Sequence, residues 1–179
     1  MPIKLPDGTN TKAGINIRPF LQRWLTELIK YFQIIVFTAS HKSYADVVLD
    51  YIDPENKYFQ HRLYRENCTC IDEGVYIKDL NIIKNRKLEN LIIIDNLVTS
   101  FGFHLDNGIP IVPFYDDTND EELYYLQTYL KWLSNQSDVR TLNKKAFQLD
   151  SIKDEFIERY LKRYDMLNEP VMSTCQINN

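Results

Sequence analysis

The stretch Leu91-Ile92-Ile93-Ile94-Asp95-Asn96 joins an unbroken aliphatic run to an acid and an amide. A continuous apolar run of this length predicts a strand over 91–94 that is covered on both faces, as in a parallel sheet. Ligands of open α/β sheets bind just outside the carboxyl ends of the strands, so Asp95 and Asn96 stand where a metal ion or phosphate would sit. A second stretch has the same construction: Ile34-Ile35-Val36-Phe37 is apolar and Thr38-Ala39-Ser40 follows with two hydroxyls.

Working outward, Phe20, Leu21, Trp24, Leu25, Leu28 and Ile29 recur at helical spacing, and Pro19 suits a helix start, which predicts a helix over 20–31 ahead of strand 34–37. A helix over 42–51 follows, stopped by Asp53-Pro54. The order strand, helix, strand implies a parallel crossover. Residues 58–78, with a turn at Asp72-Glu73-Gly74, read as short strands or a flap. Ile109-Pro110-Ile111-Val112-Pro113 reads as a short strand, and its two prolines place it at an edge or strand end. A helix is expected over 120–132, with acids in its first turn, and residues 1–14 read as irregular with a turn at Asp7-Gly8. Beyond it, Leu149, Ile152, Phe156, Tyr160, Tyr164 and Leu167 form a helical stripe, with Ser151 and Asp154 as a capping box and Pro170 past its end. This predicts a C-terminal helical extension over 146–179, set off from a domain over 1–145, and suited either to docking on a partner or to folding back onto its own domain.

The chain has 179 residues, enough for one sizeable core, and its 44% hydrophobic content excludes disorder. A net charge of −4 gives no general attraction for nucleic acid. Cys68, Cys70 and Cys175 do not make a disulfide framework or a zinc-site spacing. No run approaches the length of a membrane span, and no signal or transit peptide is visible. A cytoplasmic or nuclear location is the default expectation, with a mitochondrial one as an alternative.

Several short stretches, in order, resemble the phosphatases of the haloacid-dehalogenase (HAD) superfamily that act on the C-terminal domain of RNA polymerase II, the nuclear-LIM-interactor-interacting-factor-like family. They are Arg18-Pro19, Val36-Phe37-Thr38-Ala39-Ser40, Tyr44-Ala45-Asp46, Leu63-Tyr64-Arg65-Glu66-Asn67-Cys68, Tyr76-Ile77-Lys78-Asp79-Leu80, Ile93-Ile94-Asp95-Asn96, Asn107-Gly108-Ile109-Pro110 and Asp120-Glu121-Glu122-Leu123. The resemblance implies an α/β, HAD-like (Rossmannoid) parallel sheet flanked by helices, with a small β flap. It also implies roles: Thr38 hydrogen-bonds the transferring phosphoryl group, Arg65 and Lys78 contact phosphate, and Asp95 and Asn96 help hold Mg²⁺. The types suit those roles, since a hard cation takes oxygen ligands and phosphate takes cations and hydroxyls. Taken one at a time, the same residues also read as a helix cap, a surface lysine and strand-end punctuation.

The family's nucleophile and its acid–base partner lie in an Asp-x-Asp-x-Thr motif on the first core strand. No two of the fifteen aspartates here are separated by a single residue, and Met1-Pro2-Ile3-Lys4 resembles the strand that comes after that motif. The expectation is therefore a sheet without its first core strand. Phe20 stands where the family has glycine, and Leu97-Val98 replaces Ser-Pro. Asp95 and Asn96 alone should bind Mg²⁺ weakly, so no cofactor is expected for these residues as they stand, and Mg²⁺ if the motif lies upstream. A catalytically inactive phosphatase-like subunit follows, with a protein partner or a larger assembly to cover its open strand edges and a phosphopeptide as a candidate ligand. The alternatives are an active Mg²⁺-dependent serine/threonine phosphatase whose nucleophile segment lies elsewhere, and a relative of the mitochondrial inner-membrane translocase receptor.

Overall fold

The computed structural model describes residues 2–4, 8–12 and 14–152. Within them the chain divides into two compact units. The first combines Met1–Asn67 with Ile111–Ser137, and the second combines Cys68–Pro110 with Asp138–Asn179.

The first unit opens with β1 (Pro2–Lys4) and β2 (Asn10–Lys12), which pair antiparallel. This differs from an irregular 1–14, although the turn is where glycine predicts it, with Gly8 at φ 85°. Helix α1 (Leu21–Leu28) buries Leu25 and Leu28. Its N-cap, Phe20, has φ 66°, the left-handed region that favours glycine, so the family departure at this position falls on a conformationally demanding residue. Strand β3 (Ile34–Phe37) and helix α2 (Lys42–Ile52) lie where periodicity places them. Then β4 (Phe59–Leu63) pairs parallel with β3, in register Phe37 to Leu63. Residues 59–63 thus belong to the parallel core and not to a flap. Ala45, Leu49 and Tyr64 form the core beneath this pair, with Val36 and Phe59 against it.

Asp53 sets the α2–β4 connection. It is 1% exposed, and its carboxylate accepts backbone N–H bonds from Lys57 (2.7 Å), Tyr58 (2.8 Å) and Phe59 (3.0 Å). Burial alone would raise its pKa, but these three donors hold it below the usual carboxylate range.

In the second unit, β5 (Thr69–Asp72) and β6 (Val75–Ile77) form the expected hairpin flap, turned at Gly74 with φ 76°. Strand β7 (Ile93–Asp95) pairs parallel with β8 (Gly108–Pro110). β7 starts two residues later than the apolar run, because Leu91 ends the 3-10 turn Leu88–Asn90 by donating its N–H to Leu88 O at 3.1 Å. Asn107, 2% exposed, donates to Leu88 O and Leu91 O at 2.7 Å each. The 3-10 segment Val98–Asn107 buries Phe101 against Gly108, where an added Cβ would lie 2.0 Å from the ring. Leu80, Ile93, Phe101 and Leu105 make this core, with Leu149 packed on it.

Helix α3 (Glu122–Leu133) returns to the first unit and buries Leu123, Leu126, Leu130 and Leu133 as one stripe. Helix α4 (Val139–Phe147) belongs to the second unit and was not evident from periodicity; Asp138 caps it by accepting from the Arg140 N–H at 2.9 Å. Residues 150–152 are helical, and the rest of the expected C-terminal helix, 153–179, lies outside the described residues. Among the described residues no helix is long and apolar enough to cross a membrane.

Candidate functional site

Parallel pairing brings the ends of β3 and β4 level, so Thr38 and Arg65 emerge at one end of the same strand pair. The Thr38 N–H donates to Leu63 O (2.9 Å), and Arg65 N–H donates to Ser40 O (3.1 Å). Thr38 Oγ1 accepts the Ser40 N–H at 3.1 Å, which shapes the loop in front of α2 without capping the helix itself. The Arg65 guanidinium lies on this loop: Nε donates to Ala39 O at 2.7 Å, and Nη1 donates to His41 Nε2 at 2.9 Å. The nitrogen of His41 must be the acceptor, because a guanidinium has only donors.

The neighbouring landmarks brace this end. The Tyr64 hydroxyl donates to Asp46 Oδ1, Lys42 Nζ reaches Asp46 Oδ2 at 2.6 Å, and Arg62 bridges Asp46 (3.3 Å) and Asp50 (2.6 Å). Burial raises the Asp46 pKa, while the donors Lys42, Tyr64 and Arg62 pull it down to a net lowered value. Arg18 and Asp120, landmarks 102 residues apart, form a bidentate pair with both side chains 11% exposed. The guanidinium holds the Asp120 carboxyl below its ordinary range. Its second anchor is Val112 O at 2.8 Å. Arg18, Asp46, Asn107 and Gly108 are therefore structural parts of the motif set. A groove of about 490 Å³ in the first unit is lined by Ile15, Ile17, Leu21, Val48, Ile52 and Phe114 among others. It includes neither Thr38 nor Arg65.

In the second unit, the tip of β7 carries a closed ion pair. Lys78 Nζ lies on Asp95 Oδ2, with the side chains 12% and 9% exposed, and the Leu97 N–H donates to Asp95 Oδ1 at 2.8 Å. Lys78 is fixed from behind by its N–H, which donates to Ser100 O at 2.6 Å. Asn96 follows, exposed. The structure thus brings Lys78 onto Asp95, as it brings Arg65 onto the Thr38 loop.

Mg²⁺ is the cofactor that the fold family implies, and it takes six oxygen ligands in near-ideal geometry, usually with one or two carboxylates. At the β7 tip the one carboxylate is engaged on both oxygens, one of them by an ammonium group. Among the described residues no three His, Cys, Asp or Glu side chains gather as a metal-binding group. The described residues do not by themselves fit a magnesium site.

Comparison with known proteins agrees with this arrangement of motifs. The family model described as NLI interacting factor-like phosphatase matches residues 1–140. CTD small phosphatase-like protein 2 of Dictyostelium discoideum is 45% identical over 143 residues, covering 80% of this chain and 25% of that protein. CTD small phosphatase-like protein 3 of Caenorhabditis elegans is 41% identical, covering 75% of this chain and 47% of its own length. Nuclear envelope morphology protein 1 of Schizosaccharomyces pombe is 38% identical, covering 72% of this chain and 26% of that protein. The chain thus spans a quarter to a half of the length of these relatives. In three dimensions it is similar to the RNA polymerase II CTD phosphatase Fcp1 of fission yeast, with a TM-score of 0.56 at 20% identity over 87% of this chain and 45% of that one. The fold is accordingly α/β and HAD-like.

Proposed function

The chain belongs to the NLI interacting factor-like phosphatase family, and from that premise we propose that it serves as a phosphatase-like binding subunit that does not itself turn over phosphate esters. The observation that carries this reading is that no two aspartates are separated by a single residue, while Asp95, the metal-ligand candidate, has its two oxygens held by Lys78 and by the Leu97 N–H. The phosphatases this chain resembles begin phosphoryl transfer from an Asp-x-Asp carboxylate, and the 179 residues contain no such pair. What remains is suited to binding. Arg65 and the Thr38 loop offer a guanidinium and backbone-fixed polar groups to an anion such as a phosphorylated side chain. Among the described residues β3 and β7 each have a partner strand on one side only, which leaves edges of the kind a binding partner covers.

One alternative has an observation behind it. The chain covers 25% and 47% of two of its relatives, so a longer protein could present the nucleophile from another stretch and act as a Mg²⁺-dependent serine/threonine phosphatase. A single assay separates the two. Mg²⁺-stimulated hydrolysis of an aryl phosphate by the protein as isolated from its natural source should equal that of the same protein carrying Lys78→Ala. A magnesium-dependent rate that disappears in Lys78→Ala would establish the enzyme instead.

A further inference from the structure

We propose that His41 is a positioning residue for Arg65, holding the guanidinium in the orientation in which it meets a phosphate-like anion at the Thr38 loop. This rests on the reading of Arg65 as an anion contact. His41 is the N-cap of α2, a position where Ser, Thr, Asp or Asn normally satisfies the first N–H groups of the helix. Here the side chain makes no capping bond, and Nε2 instead receives Arg65 Nη1 at 2.9 Å. The Ala39 carbonyl takes Nε of the same guanidinium at 2.7 Å. Two of the five donors of the fork are thereby fixed by acceptors on one short loop, Thr38-Ala39-Ser40-His41, which also carries Thr38. A long, rotamer-rich side chain held by two bonds has less freedom to lose when a ligand arrives, so affinity rises through preorganisation.

The chemistry at His41 is specific: it needs an acceptor at the reach of Nε2, and an apolar side chain of similar size cannot supply one. Tungstate titration of the whole chain, followed by backbone amide shifts at Ser40 and Arg65, provides the test. Arg65→Ala should remove the response, His41→Leu should weaken binding by about tenfold, and His41→Gln should stay within about twofold of the natural chain. Loss in Arg65→Ala with no change in His41→Leu would overturn the positioning role and leave the anion site standing. Equal weakening in Leu and Gln variants would overturn it too, since the acceptor would then be irrelevant. A natural chain that responds no better than Arg65→Ala would remove the underlying anion reading. A measurement independent of any His41 variant is the ring ¹⁵N spectrum, which should show Nε2 as the unprotonated nitrogen and move in Arg65→Ala. A proton on Nε2 in the natural chain would refute the inference.

Discussion

The carboxyl ends of β3 and β7 share one sequence grammar, an aliphatic strand followed by polar residues, yet they treat their cations in opposite ways. At β7 the ammonium of Lys78 sits directly on the carboxylate of Asp95, with both side chains nearly buried. At β3 the guanidinium of Arg65 is oriented by a carbonyl and an imidazole nitrogen. The first arrangement closes an ion pair and the second fixes a guanidinium's orientation. Strand-tip position therefore does not define a role; the partner that the fold delivers to the tip does.

The contrast is broken or sharpened first by truncating the two cations. Removing one partner of a buried pair strands the other charge, so Lys78→Ala should cost about 3 kcal/mol in urea unfolding. Arg65→Ala loses the bonds to Ala39 O and His41 Nε2 on a partly exposed loop and should cost about 1 kcal/mol. Restoring stability with Asp95→Asn on the Lys78→Ala background would tie the larger loss to the stranded carboxylate. Equal losses in the two single variants would erase the distinction.

Acid titration supplies a second, smaller effect in the first unit. Asp53 and Asp46 are held below their ordinary pKa in the folded chain. Their contribution is therefore present above the unfolded carboxylate pKa, near 4, and is lost as the pH falls through the lower folded values. Unfolding midpoints should drop across that acidic window, and Asp53→Asn should flatten the slope at the cost of lower stability at pH 7. A slope unchanged by Asp53→Asn would mean that the three-donor cradle is not formed.

Magnesium should produce the smallest effect. With Asp95 already paired, about 10 mM Mg²⁺ should raise the unfolding temperature by less than about 1 °C, because a ligand stabilises only in proportion to its occupancy. A shift of several degrees that vanishes in Asp95→Asn would show that the metal displaces Lys78 and that the β7 tip is a true ligand set.

Periodicity and local chemistry were enough for much of this chain. The 34–37 strand, the α2 helix, the stripe of leucines in α3 and the Asp72–Gly74 turn all follow from patterns spanning a few residues. The ordered motifs were enough for the family and for naming Thr38, Arg65, Lys78, Asp95 and Asn96. At β4 local pattern allowed a short strand or a flap without deciding between them, and pairing with β3 settles it as a strand. His61 and Arg62 pair with Ile35 and Val36, Gln60 sits at a bulge where its Oε1 takes the Ile34 N–H at 2.7 Å, and Arg62 is drawn to Asp46 and Asp50. Local pattern failed at 91–92, where Leu91 is claimed by a turn and by Asn107. Nothing in a linear pattern marks His41 as the acceptor for Arg65, 24 residues away, or Arg18 as the partner of Asp120. Side-chain type and spacing are properties of a segment, and the sequence settles them. Which carboxylate, carbonyl or imidazole a given cation meets depends on how separate segments pair in register, and only the tertiary structure decides that.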